Sequence, residues 1–496
     1  MRDILCVVAA AAVIASMASC SSETDFEGKT SQEDQVSTPV NFGSYLAQSK
    51  STRAGEGETN TPANSSFMTT DLLKDKGFGV VAYYTGTSQY AAGQSTTEPN
   101  FMYNTKVSGE NWGYSPVVYW PNGGQNQGST PVEGAQYVSF FAYAPYKAVY
   151  VQGENSGKAD DNATTGVTAL SSNATNGDPT VSYTLGAKGA DADLLWGTAG
   201  TNGSTTSGTE AQAGTTFTGG KAAVNANLSK MKVGGKVKFN FKHALAKFGG
   251  TGAGTDGKTS GLMVVADIDN GTATTGGTLN AAETKITVKS IKIESVKTGD
   301  DNKTTTDNSI ATSGTLNLAT GVWTATNANG KIDYEINSPK ATASEGATTQ
   351  TMDKAIAEPE SFSSWNDLPA GVTTTAKSVY TESTPLVIIP DGKDHVFRIT
   401  IDYIVRTKNE SLYKGYTEVE QSFYKDLTLQ KVSLNAKYNL LIHLGLTSVK
   451  FDATVSDWTN TVAGSTQSGD GQSVDGAQTE DPMVIYMPAN VAASSN

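Results

Sequence analysis

Short runs of β-branched and aromatic residues, separated by glycine, proline and asparagine, recur along this chain and constrain its fold more than any other feature. Examples are GFGVVAYY at residues 77–84, YVSFFAY at 137–143 and KVKFNFK at 236–242. Such runs are typical of strands with at least one buried face. Because apolar stripes at helical spacing are scarce, the pattern predicts an all-β protein. The turn signals between the runs favour β-sandwiches over βαβ units.

Strand-like runs extend through most of the chain. Strands are predicted at residues 77–84, 101–107, 112–120, 137–143, 236–246, 262–268, 286–296, 315–323, 385–389, 395–405, 418–429 and 440–458. A short strand or bend is predicted at 193–198, and a short helix or strand at 225–231. Residues 153–180 and 199–220 are rich in Gly, Asn, Ser and Thr and are expected to form long loops. The run at 236–246 is expected to open a second domain.

Length and charge limit the classes of protein to which this chain can belong. The chain has 496 residues, enough for two domains or more, and a net charge of −13. The acidity suits a solvated exterior and argues against nucleic-acid binding, which requires clustered Lys and Arg. Both cysteines, Cys6 and Cys20, lie near the amino end. We therefore expect neither a disulfide nor a cysteine-based metal site in the main body.

The amino-terminal segment reads as a secretory signal. Arg2 precedes an apolar run at residues 4–18, which is too short for a typical membrane span and ends in small residues. The sequence MASC at 17–20 resembles a bacterial lipobox, in which Cys20 carries the lipid. The alternative is an ordinary signal peptide that is cut nearby. The polar and acidic residues that follow suit a flexible tether.

A strand-like run at residues 39–46 has the features of a removable leader. Val40, Phe42 and Leu46 fall on one side at period two. Burying three large apolar side chains at about 1.5–3 kcal/mol each gives roughly 5–9 kcal/mol gross. That rivals the ~5–15 kcal/mol net stability of a whole domain. We therefore expect the run to leave its groove only if a similar strand takes its place.

A single arginine bond follows this leader. Arginine occurs only at Arg2, Arg53, Arg398 and Arg406. Arg2 is lost with the signal, and Arg398 and Arg406 fall in or beside a predicted strand, where a paired backbone resists proteolysis. An arginine-specific protease would thus find one accessible bond, between Arg53 and Ala54. The alternative is that Arg53 is an ordinary linker residue.

The carboxy-terminal residues contain an isolated strand-like run behind a polar linker. Met483, Ile485 and Met487 point one way, and Val484 and Tyr486 point the other. An exposed apolar strand is an aggregation hazard unless it has a partner. It is a candidate to fill the groove of a neighbouring molecule, or it folds back onto its own chain.

No motif indicates an enzyme or a cofactor. Residues 252–259 match the P-loop pattern, but a strand follows where a helix is needed. His243, His395 and His443 have no metal-ligand spacing, and we expect each to be a packed or half-exposed strand residue.

One aromatic cluster leaves two readings open. Trp112, Tyr114 and Trp120 lie on one predicted strand. They either stack on sugars, as in a lectin-like adhesin, or pack in a sandwich core.

Several of these stretches, taken in order, resemble one family. They are the lipobox, TRA at 52–54, WGYSPVVYWPN at 112–122, VKFNFKHALAK at 237–247 and VKFDATVSDW at 449–458. The set is similar to the Bacteroidetes fimbrillin (Mfa-like) subunits of type V pili. The resemblance implies two transthyretin-like β-sandwich domains in tandem. It also implies transport to the outer membrane as a lipoprotein, removal of the leading strand by an arginine-specific protease, and strand replacement by a neighbouring subunit.

The resemblance assigns an organisation to the chain. Expected are a signal peptide at 1–19, a lipidated leader at 20–53, sandwich domains at 54–234 and 235–460, and a linker with a donor strand at 461–496. The expected partners are copies of itself or related pilins, the protease, and the outer membrane through the lipid. The precursor is expected at the outer membrane and the mature protein in a surface fimbrium that supports adhesion. The alternative function is a surface lipoprotein that binds glycans or host ligands and does not polymerise.

Overall fold

A computed structural model describes most of the chain between residues 38 and 457. The described residues are 38–46, 68, 70–93, 97–121, 136–187, 189–200, 214–218, 222–230, 235–248, 262–268, 280, 282–298, 304–306, 310–327, 330–380, 386–429, 431–446 and 449–457. The predicted sites at Cys20, at Arg53 and Ala54, and at Met483, Val484, Ile485, Tyr486 and Met487 lie outside these ranges.

The described residues confirm the all-β prediction, with 23 strands and one α-helix. The strands are β1 (Asn41–Leu46), β2 (Phe78–Gly86), β3 (Met102–Val107), β4 (Tyr137–Ala144), β5 (Gly166–Leu170), β6 (Thr180–Thr184), β7 (Leu195–Ala199), β8 (Asn225–Leu228), β9 (Lys236–His243), β10 (Ala246–Phe248), β11 (Leu262–Ile268), β12 (Thr284–Thr298), β13 (Thr304–Thr306), β14 (Ser313–Asn317), β15 (Trp323–Asn327), β16 (Asp333–Asn337), β17 (Thr348–Thr351), β18 (Lys377–Ser378), β19 (Leu386–Ile388), β20 (His395–Lys408), β21 (Tyr416–Leu429), β22 (Ala436–Gly445) and β23 (Val449–Asp457).

Helix α1 (Thr70–Lys76) covers one side of the first sheet through Leu72 and Leu73, which are both buried. It ends at Gly77, whose φ of 77° is the left-handed conformation that glycine adopts without strain. The amide of Gly77 donates to the carbonyl of Leu73 at 2.9 Å, which satisfies one of the last helical acceptors.

Seven strands form the first sheet, in the order β1-β9-β7-β4-β2-β3, with β8 paired to β4. In β9, Val237, Phe239 and Phe241 are buried and alternate with more exposed residues, as predicted for a strand. The sequence places this strand at the start of a second domain, whereas the structure pairs it with β1 and β7 in the first sheet. An alternating strand fits either core, so its pattern does not identify its neighbours.

A four-stranded sheet, β15-β14-β6-β5, combines strands from both halves of the chain. Its strand β5 lies inside residues 153–180, so the prediction of a continuous loop there is wrong. A register irregularity between Val167 and Ala169 breaks the period-two pattern in this polar stretch and hides the strand.

Two tryptophans connect this shared sheet to the first sheet. The Nε1 of Trp196 donates to the carbonyl of Leu318 at 2.9 Å, and the Nε1 of Trp323 donates to the carbonyl of Ala244 at 2.8 Å. Their rings belong to one buried apolar cluster that contains residues from both halves.

The remaining strands form two six-stranded sheets that share one core. One has the order β18-β11-β22-β10-β19 with β23 paired to β22, and the other has the order β17-β16-β12-β20-β21 with β13 paired to β12. Buried side chains from both sheets form a single cluster. Strand β20 contributes one face to this cluster, since Phe397, Ile399 and Ile401 are buried at alternate positions along it.

Two predicted strands are each a hairpin, and the prediction of a continuous strand is wrong in both. Residues 315–323 contain the turn between β14 and β15, where the Asn317 side chain accepts from the amide of Ala319 at 2.8 Å and Gly321 has a φ of 70°. Residues 440–458 reverse after Gly445, and β22 pairs antiparallel with β23. Short turns of this kind interrupt an apolar pattern too briefly to be visible in it.

Residues 112–120 are also not a regular strand. They make only isolated bridges, at Gly113 and Tyr119. Trp112 has a left-handed φ of 52°, and Pro116 has no amide proton to donate to a ladder. The side chains of Trp112, Tyr114 and Trp120 nevertheless pack against the first sheet's core, whereas Tyr119 is exposed.

The described residues form one compact unit that begins at Thr38. The domain ranges 54–234 and 235–460 stay a prediction, because the shared sheet connects the two halves. Within the described ranges, no helix has the length and hydropathy to cross a bilayer.

Candidate functional site

The predicted leader occupies an edge position of the first sheet. Strand β1 runs parallel to β9, with Asn41 opposite Lys236, Phe42 opposite Val237 and Leu46 opposite Phe241. It is the terminal strand of this sheet, so β9 is the strand that it covers. Its own loss would leave the outer backbone groups of β9 unpaired.

The start of the leader is hydrogen-bonded on both sides. On the side away from β9, the amide of Val40 donates to the carbonyl of Val118 at 2.9 Å, and the amide of Trp120 donates to the carbonyl of Thr38 at 2.9 Å. On the β9 side, the amide of Asn41 donates to the carbonyl of Gly235 at 3.1 Å. The leader therefore lies in a groove and is not simply laid along an edge.

The two described apolar anchors fill this groove. Val40 is 1% exposed and Phe42 is 3% exposed. The backbone of Leu46 continues the ladder, but its side chain lies outside the described part of the structure. At about 1.5–3 kcal/mol for each buried side chain, Val40 and Phe42 contribute roughly 3–6 kcal/mol gross. This is an upper estimate, because a denatured chain already buries part of its apolar surface.

Phe42 sits in an aromatic box contributed by residues distant in sequence. Its ring centroid lies 6.4 Å from that of Phe78, 5.2 Å from Tyr114, 6.1 Å from Phe140 and 6.2 Å from Phe239. Edge-to-face pairs at these distances add about 0.5–1.5 kcal/mol each beyond the area that they bury. Of these four residues, the sequence pattern singled out only Tyr114, and it did not pair Tyr114 with Phe42. The signal that was available is that Phe78, Phe140 and Phe239 each occur within a predicted strand.

Tyr114 and Trp120 hold the other side of the groove. The Tyr114 hydroxyl donates to the carbonyl of Val40 at 2.8 Å and accepts from the amide of Val118 at 3.2 Å. Burial raises the pKa of Tyr114, so this hydroxyl stays protonated and able to donate. The Nε1 of Trp120 donates to the carbonyl of Gly235 at 3.1 Å, the same oxygen that receives the amide of Asn41.

These contacts decide between the two readings of the aromatic cluster. Trp120 is 3% exposed and meets the ring of Phe140 at 5.5 Å, and Trp112 meets the ring of Phe78 at 5.6 Å. The cluster is therefore part of the core and of the groove wall. The ring of Trp120 is not available to stack on a sugar.

One position of the leader is tightly enclosed on its opposite face. A Cβ atom added to Gly43 would lie 2.9 Å from Cε of Lys236 and 3.5 Å from Cγ of Lys238. These atoms belong to flexible side chains, which can shift. A strand with large apolar groups at the positions of Val40 and Phe42 and a small residue after the second therefore fits this groove with the least rearrangement.

The two arginines of the described residues are both held in β20 by ion pairs. Arg398 makes two hydrogen bonds to Asp426, at 2.9 and 3.1 Å, and the buried Arg406 donates to Glu418 at 2.7 Å. Both residues are paired through their backbones to β21. As predicted, the peptide bond after each arginine lies in a paired strand and not in the extended, accessible segment that a protease requires.

The three histidines lie at three separate places, and each contacts an aspartate. His243 lies 2.9 Å from Asp193, His395 lies 2.8 Å from Asp391, and His443 lies 2.8 Å from Asp267. His243 and Asp193 are both buried, and Asp193 also accepts from the amide of Met68. The sequence did not reveal these pairs, because His243 and His443 find their partners 50 and 176 residues away. Among the described residues, no cluster of three or more His, Cys, Asp or Glu could hold a metal ion.

Comparison with known proteins supports the predicted resemblance. A fimbrium subunit, Fim1C, from Phocaeicola vulgatus is 32% identical over 93 residues, which are 18% of this chain and 22% of that protein. The matched part therefore spans less than a quarter of that relative. No protein-family profile matches the chain.

The fold has a solved counterpart. A fimbrial protein from Bacteroides vulgatus aligns over 85% of this chain and 100% of its own, with a TM-score of 0.51 and 18% identity. A putative cell adhesion protein from Bacteroides uniformis is a more distant match, which aligns over 85% of this chain and 99% of its own with a TM-score of 0.35 and 14% identity. The chain thus has the fold of a Bacteroides fimbrial protein and resembles the Bacteroidetes fimbrillins.

Proposed function

Given a chain with a fimbrial fold and a leader strand in a groove, we propose that it is a structural subunit of a type V pilus. It is made as an outer-membrane lipoprotein and matures by loss of its leader. It then joins a surface fimbrium that supports adhesion. The observation that carries the proposal is the burial of Val40 and Phe42 at the edge of a sheet, on a segment that precedes a single arginine bond.

The maturation step is a cut between Arg53 and Ala54 by an arginine-specific protease. The cut separates residues 20–53, with the lipid on Cys20, from the body of the protein. The leader is then held only by non-covalent contacts, so it can dissociate. Its departure exposes the aromatic box around Phe42 and the outer edge of β9. An apolar groove beside an unpaired strand edge is a template for another strand.

The strand that enters comes from a neighbouring subunit. The candidate is the run Met483, Val484, Ile485, Tyr486 and Met487, which offers large apolar groups at alternate positions behind a polar linker. Donation from one molecule to the next is a heterologous contact, which does not close on itself and therefore produces a filament. The partners are copies of this chain or related pilins.

The proposed role is structural and not enzymatic. Its support is the likeness to fimbrial proteins together with the absence of a catalytic motif from the sequence. The net charge of −13 gives no support to a nucleic-acid partner.

The proposal is tested with purified precursor and an arginine-specific protease. Wild type should yield a species that begins at Ala54, followed by ladders of oligomers that survive detergent without boiling. Arg53→Lys keeps the charge and the linker length but removes the specific bond, so it should stay uncut and monomeric. Deleting residues 483–496 should allow cleavage but stop chain growth.

Three outcomes separate the parts of the proposal. Ladders from the Arg53→Lys variant would show that this bond is not the trigger. Cleavage at Ala54 without ladders, in the presence of intact carboxy-terminal residues, would show that leader removal does not license assembly. Unchanged filaments after the deletion would show that a different strand enters the groove.

A further inference from the structure

A small polar cleft lies apart from the leader groove, between the turn after β4 and the chain that enters β5. Its volume is about 240 Å³, and its lining includes Tyr146, Lys147, Asp161, Thr165 and Asp191. This volume lies just below the ~300–1,000 Å³ range of pockets for drug-sized ligands. The cleft therefore suits a single small polar ring and not an extended chain.

The walls of the cleft are held in place by hydrogen bonds. The hydroxyl of Tyr143 accepts from the amide of Lys147 at 3.2 Å, and the side-chain amide of Asn104 donates to the carbonyl of Lys147 at 2.8 Å. The Nζ of Lys147 in turn reaches Asp161 at 2.5 Å. The amide of Ala163 donates to the same carboxylate at 3.1 Å. A ligand would meet groups that are already positioned.

The wall of the cleft formed by the start of β5 depends on a glycine. Gly166 has a φ of 73°, and a Cβ there would lie 3.1 Å from the carbonyl oxygen of Asp191 and 3.4 Å from Cβ of Ala187. The absence of a side chain at this position allows β5 and the 3-10 turn Gly189–Ala192 to approach closely. This approach brings the backbone beside Asp191 to the cleft.

Several polar groups of the cleft make no hydrogen bond within the fold. Among the residues that the structure describes, these are the side chains of Tyr146, Thr165 and Asp191. One face of the Tyr146 ring is covered by Lys106, whose Nζ lies 5.5 Å from the ring centroid. Tyr146 is half-buried, so it offers both a ring and a hydroxyl, and Asp191 is exposed. A hydroxyl, a carboxylate and an ammonium group around one aromatic ring are the complement of a sugar, whose hydroxyls both donate and accept and whose C–H face packs on a ring.

From this arrangement, we propose that the cleft binds one neutral monosaccharide unit of a glycan. Asp191 accepts hydrogen bonds from two sugar hydroxyls, and Thr165 and Lys147 donate to sugar oxygens. The C–H face of the sugar packs on the face of the Tyr146 ring that Lys106 leaves open. This is an adhesive function that does not depend on polymerisation or on the leader groove. It also uses none of Trp112, Tyr114 and Trp120.

Charge selects neutral over anionic sugars. The cleft is lined by one lysine, Lys147, and two carboxylates, Asp161 and Asp191. Beside it, Lys106 lies over the Tyr146 ring and a third carboxylate, Asp160, lies close enough to act on Tyr146, so the local charge is net negative. The hydrogen bond from Lys147 lowers the pKa of Asp161, so that carboxylate is ionised at neutral pH. A sialic or uronic acid would place a further negative charge beside an unpaired Asp191, which like-charge repulsion disfavours.

The test uses the uncut full-length precursor as a monomer, so its outcome is independent of strand exchange. The methyl glycosides of galactose, mannose, glucose and fucose are titrated singly at millimolar concentration, with N-acetylneuraminic acid as the anionic probe, and binding is followed by saturation-transfer NMR. At least one neutral glycoside should bind, and the acid should bind at least about tenfold more weakly.

Matched variants then locate the site. Asp191→Asn should weaken the bound glycoside about tenfold or more, because it removes a charged acceptor. Thr165→Val should weaken it several-fold. The control Glu154→Gln removes the same charge from an exposed residue that does not line the cleft, and should leave the affinity unchanged.

Three results would overturn the proposal. They are no binding of any neutral glycoside, equal or tighter binding of N-acetylneuraminic acid, and equal losses in Glu154→Gln and Asp191→Asn.

Discussion

Truncating the leader's aromatic anchor, Phe42→Ala, provides the sharpest measurement of how the groove holds its strand. The side chain is 3% exposed and meets four aromatic rings. Replacing a buried phenylalanine by alanine costs about 3–5 kcal/mol, through lost burial and the cavity left behind. Because about 1.4 kcal/mol corresponds to a factor of ten, the cleaved leader should bind roughly 100- to 4,000-fold more weakly.

The assay separates cleavage from release. The assay uses precursor that lacks residues 483–496, so that no donor strand competes for the groove. This precursor is cut with an arginine-specific protease. The fraction of leader still bound is then followed with time by native mass spectrometry. The control is Asn41→Ala on the same strand, whose side chain is exposed and makes only a 3.5 Å contact to the carbonyl of Pro39.

Phe42→Ala should release its leader much faster than wild type, and Asn41→Ala should release it at nearly the wild-type rate. Equal retention in the two variants would refute the reasoning, because the aromatic box would then not be the anchor. A wild-type leader that leaves as fast as that of Phe42→Ala would show that the ladder to β9 and not the side chain sets the lifetime.

Two further predictions concern the body of the protein. Gly321→Ala should destabilise it by more than about 1–3 kcal/mol in urea unfolding, since the new Cβ would lie 2.5 Å from the Trp196 ring. The control Gly346→Ala has a similar positive φ but no atom within 4 Å, so it measures backbone strain alone; an equal loss would exclude packing as the cause. Ser344→Ala should destabilise the protein at neutral pH and less in acid. Burial opposes ionisation of Glu335, but hydrogen bonds from the hydroxyl and amide of Ser344 outweigh it and lower its pKa. Such a group stabilises above its unfolded pKa of about 4.3, and the effect disappears as pH falls through the lower folded value. A gap between variant and wild type that is constant with pH would contradict this assignment.

The sequence predicted strands well where their side chains alternate. Val237, Phe239 and Phe241 in β9, and Val40 and Phe42 in the leader, are buried at alternate positions as their spacing predicts. This works because strand geometry is local: successive side chains point to opposite faces whatever the neighbouring strand is. The same local rule failed at the hairpin turns near Gly321 and Gly445, where a few residues reverse the chain.

The sequence did not predict which strands pair with one another. The residues of β9 do not indicate that it pairs with β1 and β7. The polar residues of β5 do not indicate that it pairs with β6 and so joins the sheet of β14 and β15. Pairing depends on hydrogen bonds between residues far apart in sequence, and most backbone groups can pair with most others. Packing against the rest of the core selects among these pairings, so only the assembled chain contains that information.

The candidate site was likewise predictable from the sequence only in part. The sequence by itself determined an all-β chain and an alternating apolar run at residues 39–46 ahead of Arg53, because these follow from residue type and spacing. Only the tertiary structure decided that Phe78, Tyr114, Phe140 and Phe239 surround Phe42, and that Trp120 is buried in the groove wall. A groove exists only once strands from distant parts of the chain have met, so no single stretch of sequence describes it.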